Sequence, residues 1–436
     1  MDDSNSPRIL LSAYQCGPEM GSVSHIGWEW YSHLAKQVPV TLITHIRNRP
    51  TLLNAGAPLA HSQIIFIDTE WLADPLFNLV CKLFPKSEYA VSLFSSIDFY
   101  FYDWLAVKEV KKLQQTGSQW DIVHQVTPVS PKAATRLHTL GLPLVLGPWN
   151  GGLTIPLTFL KVVFQDLNWL YPLRYFANLI DWAWQSSRRA ALILTATQAT
   201  LQSIPKSFHS HCQPFLENGV NLELFTAAPW PAPPSTSESL RIVFVGRLMA
   251  FKGLPMLLQA VAQLKNYRPV QLTVVGSGPR ELEWKTVAQQ LGLDKEIVTW
   301  YGQASLSEVV KQIQDSHLLC LPSVRESGGS VLLEAMACAR PVLAVDYGGP
   351  GELIDDSVGR VVSTARGAKG ITEALIHCLN DIFEQPAQWQ QRGLNGRQRV
   401  ELLYSWEVKT EKMLACYRTV IEREGLSSVD ITPRII

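Results

Sequence analysis

The chain has 436 residues, more than one hydrophobic core usually supports, so two α/β domains are the natural expectation. Its 38 Lys and Arg balance its 38 Asp and Glu, and this neutrality excludes the strong positive field that a nucleic-acid partner requires. The seven cysteines are odd in number, widely scattered and without a Cys-x-x-Cys pair, which fits a reducing cytoplasm.

The first residues, Met-Asp-Asp-Ser-Asn-Ser-Pro, carry acid and no apolar stretch, so no secretion signal is expected. Strand-like runs follow at Arg8–Ala13, Pro39–Thr44, Gln63–Asp68, Asp121–Gln125, Pro143–Gly147 and Ala191–Thr195, alternating with longer helical stretches, the rhythm of a parallel sheet. After the first run comes a turn-rich segment, Cys16 to Ser22, and then a helix whose core stripe is Ile26, Trp30 and Leu34. Leu137 to Leu160 lacks charge and has the length of a membrane span, but seven Gly and Pro residues interrupt it and it reads as strand and loops.

From Thr226 to Ser239 four prolines and no apolar periodicity mark a linker. The strand pattern restarts at Arg241–Gly246, Gln271–Gly276, Glu296–Gly302, His317–Ser323 and Pro341–Asp346. Helices separate these runs, among them Gly253–Lys265 with Leu254, Leu257, Leu258, Val261 and Leu264 inward. A last helix begins near Ser405 as N-cap, with Trp406, Met413, Tyr417 and Val420 near one face, positioned to reach back to the first domain. The expected fold class is α/β, two Rossmann-like doubly wound parallel-sheet domains facing an interdomain cleft. The N-terminal domain spans 1–225, the linker 226–239, the C-terminal domain 240–404 and the crossing helix 405–436.

Two constellations carry chemistry. In Arg325-Glu-Ser-Gly-Gly-Ser-Val-Leu-Leu-Glu, which follows the His317 strand, Gly328 and Gly329 permit close backbone approach to a ligand. A helix then starts at Ser330 with N–H groups and a dipole that favour an anion. Glu326 precedes this helix and Glu334 lies about one turn inside it, so the two carboxylates reach different parts of one extended ligand, and each can accept hydrogen bonds from vicinal hydroxyls. Either Glu alone reads equally well as a dipole partner or a paired core acid. In Val243-Phe-Val-Gly-Arg-Leu-Met-Ala-Phe-Lys-Gly253, Arg247 and Lys252 arrive at the same sheet edge, where two cations suit a diphosphate leaving group; Lys252 alone would also read as a solvated lysine.

With Val274-Val-Gly-Ser-Gly-Pro279 between them, these motifs resemble glycosyltransferase family 4 in order and spacing from about Arg241 to Val362. Glu217 to Phe225 and Tyr404-Ser-Trp-Glu407 resemble its hinge and crossover-helix segments, and the N-terminal half matches more loosely. The resemblance implies a GT-B fold and a retaining transferase that moves a hexose-type sugar from a nucleotide-diphosphate donor without a metal or other cofactor. It gives Arg247 and Lys252 the diphosphate, Glu326 the sugar hydroxyls and Glu334 the ribose. Ser327, Gly328, Gly329, Ser330 and Val331 would meet the sugar and phosphates, Gly246, Gly276, Ser277 and Gly278 the nucleotide end, and Gly21 and Ser22 would close over the phosphates. No Asp-x-Asp occurs in the sequence.

Two departures stand out. Where relatives carry Asp-x-x-His-x-His this chain has Asp121-Ile-Val-His-Gln-Val126, which leaves His124 open between sugar contact and a structural role, and the common Glu-x-Phe-Gly is Glu326-Ser-Gly-Gly329. His209, His211 and Cys212 lack a second cluster that would make a metal site. The segments Trp71–Ala106 and Leu153–Trp184 are rich in Trp, Phe, Tyr and Leu. They read either as a self-packed helical insertion or as an apolar groove for a lipid-linked acceptor, with Lys82, Lys86, Lys161 and Arg174 near anionic head groups. The expected partners are therefore a nucleotide-sugar donor, a glycan or lipid-linked acceptor and, through the N-terminal domain, the inner face of the membrane. The rival class is a non-catalytic nucleotide-sugar-binding subunit; a phosphorylase or epimerase fits the motifs less well.

Overall fold

The computed structural model describes residues 6–18, 20–83, 88–153, 156–159 and 176–429. The chain forms two compact units. The first comprises Met1–Gly152, Leu167–Glu217 and Lys409–Ile436, and the second Leu153–Asp166 and Asn218–Val408.

Seven strands build the first sheet: β1 (Ile9–Ala13), β2 (Val40–His45), β3 (Ser62–Ile67), β4 (Ile122–Thr127), β5 (Leu144–Trp149), β6 (Leu192–Thr195) and β7 (Cys212–Pro214). All pairings are parallel, in the order β3-β2-β1-β4-β5-β6-β7. The central strands β1, β2, β4 and β5 are buried along their whole length, as strands covered on both faces by helices must be. The stretch beginning at Leu137 thus supplies an internal strand, and no helix among the described residues is long and apolar enough to cross a membrane. The first helix, Ser22–Ala35, buries Ile26, Trp30 and Leu34, and Gly27 lets it approach the chain after β1, since a Cβ there would lie 2.3 Å from the Gln15 carbonyl oxygen.

The second sheet contains β8 (Leu240–Val245), β9 (Val270–Val275), β10 (Val298–Gly302), β11 (Leu318–Leu321), β12 (Val342–Asp346) and β13 (Gly359–Ser363), again all parallel, in the order β10-β9-β8-β11-β12-β13. Both sheets start with a strand that is followed on one side by its successors and on the other by a later strand. The topological switch point lies between β1 and β4 in one unit and between β8 and β11 in the other, and ligands of such sheets bind at the carboxyl ends beside it.

Residues 226–239 form no helix or strand, yet they are held down. Arg340, fully buried, donates to the carbonyls of Ala228 (2.9 Å), Pro229 (2.8 Å), Cys338 (3.1 Å) and Gln314 (2.5 Å), and Trp230 Nε1 donates to the His317 carbonyl at 2.8 Å. The final helix, Trp406–Val429, starts where expected: Ser405 Oγ accepts the Val408 N–H at 3.3 Å, and Met413, Tyr417 and Val420 are buried. Its residues from Lys409 onward belong to the first unit. There the buried Lys409 ammonium donates to the Leu216 carbonyl and lies 4.4 Å from the centre of the Phe215 ring. Burial brings its pKa down to about 7.

Replacing Arg340 by Met leaves several buried carbonyls without a donor, a loss of about 3 kcal/mol. At roughly 2–4 °C per kcal/mol for domains of ~150–250 residues, the expected fall in Tm is about 6–12 °C. Thermal unfolding of the variant checks this; an unchanged Tm would show that the segment is held by something else.

Candidate active site

At the carboxyl edge of the second sheet the loops leaving β8, β9, β11 and β12 are locked by contacts between main chains. Gly246 N donates to Val275 O (3.0 Å) and Leu248 N to Ser277 O (3.0 Å), which lays the β8 loop on the β9 loop. Only glycine fits at Gly276, where φ is +125° and a Cβ would stand 2.2 Å from Gly246 O; at Gly278 a Cβ would stand 2.7 Å from Leu248 N. The β8 loop also grips the β11 loop. Phe251 O accepts from Val324 N (2.8 Å) and Ser323 Oγ (3.2 Å), and Gly253 closes the turn in left-handed conformation against the Pro322 carbonyl.

This packing brings Lys252 to Glu326, 74 residues away in sequence, with Nζ 2.5 Å from Oε2. Both side chains are largely but not fully covered, at 16% and 15% exposure, so the pair stays reachable from solvent. The stem of Lys252 passes over Gly246, with its Cε 3.8 Å from where a Cβ would be. Arg247 lies exposed on the same loop. The Glu326 main chain is fixed from the other side, because its carbonyl accepts from Gly349 N at 3.0 Å, and a Cβ on Gly349 would lie 1.9 Å from Ser327 O.

The helix Ser330–Ala337 begins directly behind this pair. Its cap, Gly329, has φ 55° and ψ 41° and offers no side chain to the first N–H groups, and Gly328 and Val331 are buried beside it. An anion here would meet a helix N-terminus and a lysine together. Glu334 lies one turn further in, where burial pushes its carboxyl up to about 7 against a Ser330 hydrogen bond that favours the ionised form. Arg247, Lys252, Glu326, Ser327, Gly328, Gly329, Ser330 and Glu334 therefore sit on two adjoining loops and one helix start, and Gly246, Gly276, Ser277 and Gly278 form the floor of the β8 loop.

In the first unit, Gly21 and Ser22 are exposed at the start of the first helix, with Gly21 at φ +99° and no side-chain cap. His124, left open between sugar contact and a structural role, has the surroundings of a structural residue. It is fully buried on β4, its Nε2 donates to Gly147 O at 2.6 Å, and its Nδ1 bonds the Tyr417 hydroxyl at 2.5 Å. Burial pulls its pKa down to about 4, so the ring is neutral, with both nitrogens engaged and no atom left for a ligand.

Sequence reasoning missed a polar cluster at the carboxyl ends of β1, β2 and β3. Asp98, 1% exposed, accepts from Tyr14 Oη (2.6 Å), Arg47 Nη2 (2.9 Å) and Thr69 Oγ1. Arg47 Nε also donates to Glu70 at 3.1 Å, and Arg47, Glu70, Asp74 and Asp98 line a cavity of about 280 Å³. Its members come from four separate stretches, so no local spacing announces it. Gly348 and Gly349 were missed too, although Gly-Gly-Pro-Gly after a strand is a turn signal. Among the described residues no group of three or more His, Cys, Asp or Glu is placed to hold a metal ion.

Glu334 gives a pH signature. With its folded pKa about 7 and its unfolded value 4.5, its contribution to stability is fully present below 4.5 and is lost as pH rises through about 7. Glu334→Gln removes this dependence, so the Tm of the variant relative to the parent should rise between pH 5 and pH 8. A constant difference across that range would contradict the burial of this carboxyl.

Residues 231–396 match the family described as Glycosyl transferases group 1. A GDP-mannose-dependent monoacylated alpha-(1-6)-phosphatidylinositol monomannoside mannosyltransferase of Corynebacterium glutamicum is 29% identical over 50% of this chain and 59% of its own. A D-inositol 3-phosphate glycosyltransferase of Arthrobacter sp. is 31% identical over 41% and 43%. The chain thus spans about half the length of these curated relatives. The crystal structure of a glycosyltransferase from Rickettsia africae superposes with a TM-score of 0.63 over 96% of this chain and 99% of that one, at 16% identity. Residues 231–396 thus resemble the group 1 glycosyl transferases, and the chain as a whole has the GT-B fold.

Proposed function

We propose that the chain is a retaining, metal-independent hexosyltransferase of glycosyltransferase family 4, which moves a sugar from a nucleotide diphosphate to a hydroxyl of a glycan or lipid-linked acceptor. The observation that carries this reading is the Lys252–Glu326 pair, 2.5 Å apart, in front of the Ser330 helix. A cation and a helix N-terminus suit the diphosphate, and a carboxylate beside them suits the sugar hydroxyls.

When a donor enters, Lys252 exchanges Glu326 for a phosphate oxygen, and Glu326 is released to accept from the sugar. As the bond from the anomeric carbon to the diphosphate breaks, charge grows on the departing oxygen. Arg247, Lys252 and the first N–H groups of the helix stabilise it without reorganising, the role a divalent cation would otherwise fill. The anomeric carbon then bonds to the acceptor oxygen, whose proton is taken up by the released diphosphate. Glu334, one turn inside, binds the nucleotide ribose.

The test uses the purified chain with UDP-glucose, UDP-galactose and GDP-mannose, following the anomeric configuration by proton NMR with and without EDTA. The expected result is transfer with retention that survives EDTA. Glu326→Gln should slow transfer about 10–100-fold with little change in affinity for the free nucleotide diphosphate, and Lys252→Ala should weaken both. Nucleotide binding with no transfer to any acceptor would overturn the reading in favour of a binding subunit.

A further inference from the structure

Phe84, Lys86, Lys161, Phe164 and Arg174 lie outside the described residues, but the helix Glu88–Gln115 of the first unit carries an apolar stripe on its solvent side. Its inner side is core, with Phe99, Tyr102, Ala106 and Val110 buried. A helix that buries one face in this way ordinarily turns polar residues to water. Here Ile97, Phe101 and Trp104, spaced i, i+4 and i+7 along one line, are instead 41%, 41% and 46% exposed. The line then turns basic, as Lys108, Lys111 and Lys112 follow, all exposed. Lys108 Nζ lies 5.6 Å from the centre of the Trp104 ring, and Lys112 pairs with Glu109 at 2.8 Å, which leaves Lys108 and Lys111 without an ion pair among the described residues.

The apolar surface extends beyond this helix. Phe101 meets Trp71 of the helix Glu70–Leu83 edge to face, with ring centres 6.4 Å apart, and Trp71 is 67% exposed. Ile97 and Phe101 also share a groove of about 460 Å³ with Leu179 of the helix Phe176–Trp184, itself 59% exposed. Five large apolar side chains from three helices thus make one exposed patch, continued at one end by lysines. The carboxylates nearest to it in sequence have other partners: Asp74 hydrogen-bonds Glu70, and Asp181 Oδ1 accepts the Ser187 N–H at 3.0 Å. A partner protein would favour an apolar centre free of lysine, which is depleted from interfaces between proteins. The margin of a bilayer suits both parts, because aromatic and aliphatic side chains enter the boundary of the acyl region while lysine heads stay among the lipid phosphates.

We propose that this patch docks the first unit peripherally on an anionic membrane surface, with Trp71, Ile97, Phe101, Trp104 and Leu179 entering the headgroup boundary and Lys108 and Lys111 meeting lipid phosphates. No helix among the described residues is long and apolar enough to cross a membrane, so the contact is one of lying on the surface. The docking surface stands whichever sugar the second unit transfers, and it is tested without reference to transfer.

The test is flotation of the full chain with vesicles of equal parts phosphatidylglycerol and phosphatidylcholine, and with vesicles of phosphatidylcholine alone. The mixed vesicles should bind at least about tenfold more tightly, and added salt should narrow the difference. Phe101→Ser with Trp104→Ser should weaken binding to the mixed vesicles about tenfold or more. Lys108→Gln with Lys111→Gln should weaken it by about tenfold. Both variants change exposed side chains, so each should keep the parent's Tm. The lysine variant removes no packing, and its result decides the matter if the aromatic variant proves less stable. Failure of the parent to float with the mixed vesicles would overturn the proposal. Equal binding to both kinds of vesicle would overturn the anionic assignment, and parent-like binding by both variants would place the membrane contact elsewhere. Self-association in sedimentation that Phe101→Ser with Trp104→Ser abolishes, with no flotation, would make the patch an interface between copies of the chain instead.

Discussion

The second unit depends on close main-chain packing at one sheet edge. Gly276 against the Gly246 carbonyl, Gly253 against Pro322 and Gly349 against Ser327 each fill a gap where a Cβ would stand about 2 Å from an oxygen. A single methyl group at any of them must push a loop aside. With the glycines in place, four loops become one shelf, and Lys252 and Glu326 project from it at hydrogen-bond distance although 74 residues separate them. A shelf of this kind holds charged groups close to their working positions before any ligand arrives.

The first unit uses side chains where the second uses main chain. Asp98 gathers Tyr14, Arg47 and Thr69 from three strand ends, and His124 ties β4 to both the Gly147 carbonyl and Tyr417 of the final helix. Burial decides the chemistry of both. The same ring that would be a pH-sensitive ligand on a surface is a neutral strut when fully enclosed, as the depressed pKa of His124 shows. The aromatic segments divide similarly: Phe99 and Tyr102 are core, whereas Trp71, Phe101, Trp104 and Trp182 are substantially exposed, so self-packing accounts for only part of their number.

How much of this was legible follows from range. Every strand-like run in the sequence became a strand with its ends within two residues; the central ones are continuously apolar because helices cover both faces, whereas the edge strands β3 and β10 are partly exposed. β7 and β13 escaped detection as short edge strands, one containing Pro214 and the other beginning at Gly359, with too few apolar residues to register. The Ser330 helix, its preceding glycines and the Arg247–Lys252 loop were readable because their chemistry is contiguous. The Asp98 cluster, the Gly349 support behind Glu326 and the burial of His124 were not, because each is created by convergence of distant segments, which local spacing does not encode. Arg340 belongs to the same class: nothing near it in sequence says that it staples residues 228 and 229.

A crystal structure of the chain with bound UDP-glucose or GDP-mannose tests the central claim most directly. The account predicts a diphosphate oxygen within hydrogen-bond distance of the Ser330 N–H and of Lys252 Nζ, with the Lys252–Glu326 contact opened and Glu326 turned to the sugar. A nucleotide bound away from the Ser330 helix, or a diphosphate beside an unbroken Lys252–Glu326 pair, would contradict it.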